Sequence, residues 1–189
     1  MTQNIVYQGE SGAYSHLACQ TYYPDYSPLP CASFASAFAA VRNGDAQLAM
    51  IPVENTLAGR VSDIYHLLPE GGLHIIAEEY LPVHHQLLAV KGAKLEDIKS
   101  VRSHPMALGQ VRKRLETLGI AAIADADTAG AARRVADRGE KSVGAIASRL
   151  AAEIYDLDIL AEDIEDGQLN RGSESAFAER LDLKGAILG

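Results

Sequence analysis

Four short stretches gather hydroxyl, amide and carboxylate side chains among glycines and other small residues. That mixture can hold a small anion or move a proton onto it. The first is Gly9-Glu10-Ser11-Gly12-Ala13-Tyr14-Ser15, which follows an apolar run and opens a helical pattern. Small residues let backbone approach a ligand, and a helix start offers unpaired N–H groups to an anion. The spacing Gly-x-x-Gly-x-x-Ser is not the GxGxxG of a dinucleotide site, and Glu10 has the wrong charge to face a pyrophosphate. A plain turn with a helix cap satisfies the same residues.

The second stretch, Pro52-Val53-Glu54-Asn55-Thr56, brings a carboxylate, an amide and a hydroxyl together at a strand end. The amide and hydroxyl can bind a substrate oxygen while the carboxylate orients a neighbour, or Asn55 or Thr56 can serve as a helix cap. The third is Ser103-His104-Pro105, with Gln110 about a turn and a half further on. Pro105 suits a first helical turn, which makes Ser103 or His104 a cap. Adjacent Ser and His seldom meet in triad geometry, and no GxSxG elbow occurs, so a cap with an anion contact is expected here rather than a nucleophile. The fourth is Asp127-Thr128-Ala129-Gly130-Ala131. Thr128 and the amides after it can cup a carboxylate, or Asp127 can simply cap a helix.

The remaining chemistry-bearing residues are scattered. His84 and His85 are adjacent in a strand-like run, so they point to opposite faces and cannot both ligate one metal. His16, His66 and His74 lack HxxxH or HxH partners. No metal is expected. Cys19 and Cys31 form no CxxC and read as reduced core or near-surface residues.

The elements that must position these stretches show in the apolar spacing. Strand-like runs fall at residues 5–8, 48–53, 73–77, 86–90, 100–102, 121–124 and 143–146. Helical patterns lie between them at about 14–22, 34–42, 62–68, 106–118, 129–137 and 149–154, with Phe34, Ala37, Phe38 and Val41 marking one buried face. Such alternation argues for an α/β protein with mostly parallel sheets, whose ligands sit beyond the carboxyl ends of strands. Residues 73–90 read as two strands joined by Tyr80-Leu81-Pro82, a crossover between lobes. One lobe would then hold residues 1–80 with the returning 160–189, and the other residues 81–160.

Bulk properties narrow the class. The 189 residues, 48% hydrophobic, suffice for one buried-core domain or two small lobes. No apolar run reaches the roughly 18–20 residues of a membrane helix, and no basic stretch with a long apolar segment opens the chain, so no signal peptide is read and a cytoplasmic protein is expected. A net charge of −8 and a single basic cluster, Arg112-Lys113-Arg114, on a solvated helix face argue against nucleic-acid binding. A small anion can still be held by local donors.

Taken in order, the motifs resemble the prephenate dehydratase family. The Gly-x-x-Gly-x-x-Ser loop matches residues 9–15, and the I-P-x-E-N-[ST] segment matches Ile51-Pro52-Val53-Glu54-Asn55-Thr56. The S-H-x loop with its Gln-bearing helix matches Ser103-His104-Pro105 and Gln110, and T-[AS]-x-A matches Thr128-Ala129-Gly130-Ala131. The resemblance runs from about residue 4 to 170. It implies a two-lobed fold resembling type II periplasmic binding proteins, with the active site in the cleft between lobes. It also implies a lyase of phenylalanine biosynthesis that removes carbon dioxide and hydroxide from prephenate, giving phenylpyruvate. Aromatisation drives that reaction, so no cofactor is expected. By resemblance, Asn55, Ser103 and Gln110 line the substrate site with Glu54 nearby, while Ser15, Thr56, Thr128, Ala129 and Gly130 bind substrate. Homodimers are common in the family, and the ACT domain that usually follows is not expected in this chain.

The sequence departs from the family in one motif, N-x-T-R-F, whose Thr is taken as the acid and whose Arg supports anion binding. Family spacing after Ile164-Glu165-Asp166 places Asn170 correctly, but Gly172 and Ser173 stand where Thr and Arg belong. A slip of three residues aligns Ser175-Ala176-Phe177 instead, which keeps a hydroxyl in Ser175 and the Phe but not the Arg. After Asn170 no apolar strand is read, and residues 178–183 look closer to a helix. Two alternatives therefore stand beside the dehydratase: a two-lobed domain that binds a small anion without chemistry, and a nucleotide-dependent oxidoreductase supported only by strand–helix alternation.

Overall fold

A computed structural model describes residues 3–57, 59–167 and 171–178. The first sheet contains β1 (Gln3–Gln8), β2 (Tyr26–Cys31), β3 (Leu48–Asn55), the two-residue β4 (Gly59–Arg60) and β5 (His74–Pro82), with helices α1 (Tyr14–Tyr22), α2 (Phe34–Arg42) and α3 (Ser62–Glu70). The second is built from β6 (Gln86–Val90), β7 (Ser100–Ser103), β8 (Ala121–Ala124), β9 (Val143–Ala147) and β10 (Leu157–Ala161). Its helices are α4 (Pro105–Gln110), α5 (Arg112–Leu118), α6 (Thr128–Arg138) and α7 (Arg149–Ile154). The last strand, β11 (Arg171–Ala178), returns to the first sheet.

The two sheets share one topology. The first runs β2-β1-β3-β11-β5, with β4 attached to β3, and the second, from its far edge, β8-β7-β9-β6-β10. β1 pairs parallel with β2 and β3, whereas β11 is antiparallel to both β3 and β5. β7 pairs parallel with β8 and β9, whereas β6 is antiparallel to β9 and β10. In each sheet four main strands therefore run one way, and the single reversed strand is the first one made after the chain crosses from the other sheet. This is the two-lobed α/β arrangement expected from the sequence, in mixed, mostly parallel sheets.

Each sheet is covered on both faces, which is why its inner strands read as continuous apolar runs rather than alternating ones. Along β1, Ile5 and Tyr7 turn to α1 with Leu48 and Met50, while Val6 turns to α2 with Ala49 and Ile51. In the second sheet Leu87, Val101 and Ile146 pack on α4 and α5, and Leu88, Ala145 and Ala147 pack on α6 and α7. Burying a side chain such as Phe38, 1% exposed, contributes about 1.5–3 kcal/mol.

Four sequence expectations need correction. Tyr80-Leu81-Pro82, expected to join two strands, instead end β5, and residues 83–85 make the joint to β6. The helix expected over 106–118 breaks at Val111 into α4 and α5. Residues 26–31 form an unforeseen strand at the edge of the sheet, where Pro28 and Pro30 are tolerated because, among the described residues, β2 pairs only with β1. Residues 171–178, read as lacking a strand, form one between β3 and β5. Asn170 and the helical pattern beyond Ala178 lie outside the described residues.

Candidate active site between the lobes

Four strands end at the same place. β1 and β3 from one sheet, and β7 and β8 from the other, direct their carboxyl ends toward one cavity of ≈ 800 Å³. It is lined by Gln8, Gly9, Glu10, Tyr14 and Ser15 from the first junction and by Pro52, Glu54 and Asn55 from the second. The other sheet contributes His104, Met106 and Gln110 from the third junction and Asp127 and Thr128 from the fourth. The crossover at residues 83–85 adds His85. All four stretches singled out by composition thus converge, as the carboxyl-end rule requires.

Local folding explains each placement. Gly9 has φ +113°, a backbone state that disfavours a side chain, and it turns the chain from β1 into the cavity wall. Gly12 has a different task from the one its spacing suggests. Its Cα stands against α7, and a β-carbon there would lie 2.8 Å from Ala151 Cα. Ser148 Oγ donates to the Gly12 carbonyl at 2.6 Å and Tyr155 Oη to the Ser11 carbonyl at 2.7 Å, so this loop joins the lobes. The Gly12 N–H, at the start of α1, is taken by His16 Nδ1 at 3.0 Å rather than left for an anion.

At β3, Asn55 Oδ1 accepts from Leu57 N at 3.0 Å, which fixes the amide at the turn that leads out of the strand. Thr56 is exposed and is not among the cavity residues. At β7 the capping residue is His104, whose Nδ1 accepts from Met106 N at 3.2 Å. Ser103 is 0% exposed, and its hydroxyl donates to the Ile146 carbonyl at 2.6 Å, so it ties β7 to β9 and does not line the cavity. At α6, Asp127 caps the helix by accepting from Gly130 N, and Ala129 and Gly130 are buried away from the lining. Of the residues expected to meet substrate, Ser15, Glu54, Asn55, Gln110 and Thr128 line the cavity. Ser103, Thr56, Ala129 and Gly130 stand behind it or outside it.

The possible substitute Ser175 lies opposite Ile51 of β3, whereas Gly172 is opposite Asn55 and Ser173 opposite Glu54. Ser175 thus lies one residue beyond the Glu174–Pro52 pair, and Pro52 lines the cavity whereas Ile51 does not. At the family spacing, Gly172 and Ser173 pair with the cavity residues Asn55 and Glu54.

Two residues escaped sequence reasoning as site residues. His85 is 2% exposed, and its ring lies 2.7 Å from Tyr14 Oη through Nδ1 and 2.6 Å from Gln110 Oε1 through Nε2. Burial pushes its pKa below the ordinary 6.5, against the Gln110 hydrogen bond and the Glu165 charge, which raise it. Burial, with the charges of Glu165 and Asp163, lifts Tyr14 well above 10.0, so it stays a phenol. The sequence signals His85 only through the adjacent His84-His85 pair, whose spacing speaks to metal binding and not to a shared cavity. The two rings do diverge: His84 Nδ1 meets Glu165 Oε1 at 2.9 Å and Asp163 Oδ1 at 3.7 Å, linking the two crossovers. Burial raises the Cys31 thiol above 9.0, so this cavity residue is no ready nucleophile.

The electrostatics are unusual for an anion site. Carboxylates of Glu10, Glu54 and Asp127 line the cavity, and no Lys or Arg does so among the described residues. Glu10 is offset by Arg133 at 3.1 Å, and Arg134 stands 3.9 Å from Asp127. Behind them Asp125 loses solvation on burial, which would raise its pKa, yet hydrogen bonds from Arg134, Ala126 N and Arg102 hold it below 3.8. Arg133 and Arg134 thus reach these carboxylates without lining the cavity themselves.

Fold and site define a two-lobed α/β protein with a ligand cleft at the carboxyl ends of both sheets. A family model described as prephenate dehydratase matches residues 5–172. The chain is 47% identical over 166 residues to the bifunctional N-acyl-homoserine lactone acylase/prephenate dehydratase of Komagataeibacter europaeus, spanning 88% of this chain and 59% of that protein. It is 48% identical over 162 residues to arogenate dehydratase/prephenate dehydratase 1 (chloroplastic) of Arabidopsis thaliana, spanning 86% of this chain and 41% of that one. Among solved structures, prephenate dehydratase from Arthrobacter aurescens in complex with L-Phe superposes with a TM-score of 0.87 at 27% identity, covering 94% of this chain and 61% of that one. The chain belongs to the prephenate dehydratase family, and it spans less than two thirds of the length of these relatives.

Proposed function

We propose that the cavity binds prephenate and carries out its decarboxylative dehydration to phenylpyruvate, a step of phenylalanine biosynthesis. One observation carries this reading: Ser15, Glu54, Asn55, Gln110 and Thr128, drawn from four separate strand–helix junctions, line a single cavity between the lobes. The substrate needs two carboxylates held while the ring C–CO₂ bond breaks, its electrons aromatise the ring and the C–O bond opens. The leaving hydroxide must gain a proton. Fixed donors such as Asn55, Gln110 and Thr128 orient the carboxylates without strong ground-state trapping, and exclusion of water between the lobes strengthens each hydrogen bond. No cofactor is invoked. A cytoplasmic setting fits a chain whose Cys19 and Cys31 form no disulfide. No described helix is long and apolar enough to cross a membrane.

The acid is the weak element. Gly172 pairs with Asn55 at the rim and has no side chain to donate a proton. This favours a second reading, ligand binding without turnover. Phenylpyruvate formation from prephenate, measured beside calorimetric binding on the same protein, separates the two. Product in excess of a heat-denatured control supports the dehydratase, binding alone supports the second reading, and neither binding nor product rejects both. Because several relatives are named arogenate dehydratases, arogenate belongs in the same assay.

A further inference from the structure

The chain crosses between the sheets at residues 83–85 and returns after β10, and the two crossings meet outside the cavity in His84, Asp163 and Glu165. His84 Nδ1 stands 2.9 Å from Glu165 Oε1 and 3.7 Å from Asp163 Oδ1, and one donor atom from each residue lies within 4.8 Å of the others. Donors sharing one tetrahedral ion at bonds of about 2.0–2.2 Å stand about 3.4 Å apart. The two short separations fall on either side of that spacing. Each carboxylate is also aimed from behind, unlike those of an ordinary acidic surface. The Gln86 side chain, 2% exposed, clamps Asp163: its Nε2 donates to Oδ1 at 2.8 Å, and its Oε1 accepts from Asp163 N at 3.2 Å. The His85 N–H donates to Glu165 Oε2 at 3.0 Å, which leaves Oε1 for His84. Lys113 and Arg114 border the same recess, yet among the described residues no Lys or Arg pairs with Asp163 or Glu165.

We propose that His84, Asp163 and Glu165 bind one divalent transition-metal ion of the zinc type, which ties the outgoing crossover to the returning one. The ion takes the place of the hydrogen between His84 Nδ1 and Glu165 Oε1, and the ring then carries its hydrogen on Nε2. An imidazole nitrogen with carboxylate oxygens suits zinc, cobalt or nickel, whereas magnesium and calcium favour oxygen alone. The His84 and Asp163 side chains are 53% and 57% exposed, so water has room to complete the coordination. His85 takes no part as a ligand, because its ring turns away to Tyr14 and Gln110. Its N–H and the buried Gln86 instead hold the two carboxylates in place, as outer hydrogen bonds do around bound metals. The site stands apart from the cavity lining, so it does not depend on what the cavity binds.

The test is calorimetric titration of the EDTA-treated, dialysed full chain with Zn²⁺, and with Co²⁺ as an optical probe. One ion should bind per chain, and Co²⁺ should show visible absorption without the strong near-ultraviolet band of a thiolate ligand. Saturation with Zn²⁺ should raise the melting temperature, and EDTA should reverse the rise. Removing a ligand should weaken binding at least as much as losing an outer hydrogen bond does, about 10–100-fold. His84→Ala and Asp163→Asn should each do so and lose the thermal shift. Asp163 holds φ +47°, a state that Asn enters readily, so Asp163→Asn keeps the backbone and carries the test should His84→Ala fail to fold. Excess Mg²⁺ should leave bound Co²⁺ in place. No saturable Zn²⁺ binding by the native chain would overturn the proposal. So would undiminished binding in both variants, which puts the ion on other residues, or displacement of Co²⁺ by Mg²⁺.

Discussion

Gly12 and Ala151, from different lobes, touch backbone to backbone, and a β-carbon on Gly12 would sit 2.8 Å from Ala151 Cα. Gly12 also holds φ +90°. Gly12→Ala is therefore expected to destabilise the protein by about 2–5 kcal/mol, from backbone strain together with overpacking. Thermal melting checks it. Ser148→Ala, which removes the hydrogen bond to the Gly12 carbonyl, should cost less, about 1–3 kcal/mol. A Gly12→Ala protein that melts with the native one would show that this contact does not hold the lobes.

Asn55→Asp keeps the acceptor that fixes Leu57 N but replaces an amide donor with a negative charge at the cavity rim. Prephenate affinity should fall by about 10–100-fold, with melting temperature little changed. Unaltered affinity would remove Asn55 from the ligand contacts.

Because Gly172 and Ser173 pair with Asn55 and Glu54, restoring the family residues there puts an acid and a cation at the rim. Gly172→Thr with Ser173→Arg is expected to raise phenylpyruvate formation by about 10²–10⁴-fold. Ser175→Ala should leave the rate unchanged, since that position lies opposite Ile51. A fall in rate on Ser175→Ala would favour the slipped alignment.

The cavity and its scaffold were unequally legible. Glu54, Asn55, Gln110 and Thr128 were readable because polar residues that leave apolar strands together must gather at a sheet end. Ser103 was misleading because spacing does not reveal that a hydroxyl is already committed to the Ile146 carbonyl. Gly12 was legible as a needed glycine but not in purpose, since its neighbour Ala151 is far along the chain. β2 hid behind two prolines that only an edge position permits, and β11 hid because Arg171-Gly172-Ser173-Glu174 carries no apolar run although partners flank it on both sides. His85 and Tyr14 needed the crossover geometry to meet.

His16 stacks on Tyr7 with ring centroids 5.0 Å apart and accepts the Gly12 N–H through Nδ1, and burial lowers its pKa from 6.5. The folded state thus binds fewer protons than the unfolded one in this range. Stability is full above the unfolded value near 6.5 and declines as pH falls below it, continuing until the depressed folded value is passed. Denaturant melts from pH 8 to 5 should show this positive slope, and His16→Gln should flatten part of it, leaving that due to His85. Stability that rises on acidification over this range would contradict the burial of both rings.

The reversed strand β11 has a consequence for biosynthesis. Among the described residues β3 and β5 are joined in the sheet through β11, which is made after every strand of the second sheet. As the chain leaves the ribosome, residues 86–161 can close their own sheet while the earlier lobe still holds an empty slot between two sticky edges. A chain that ends before Arg171 leaves the facing edges of β3 and β5 unpaired by β11.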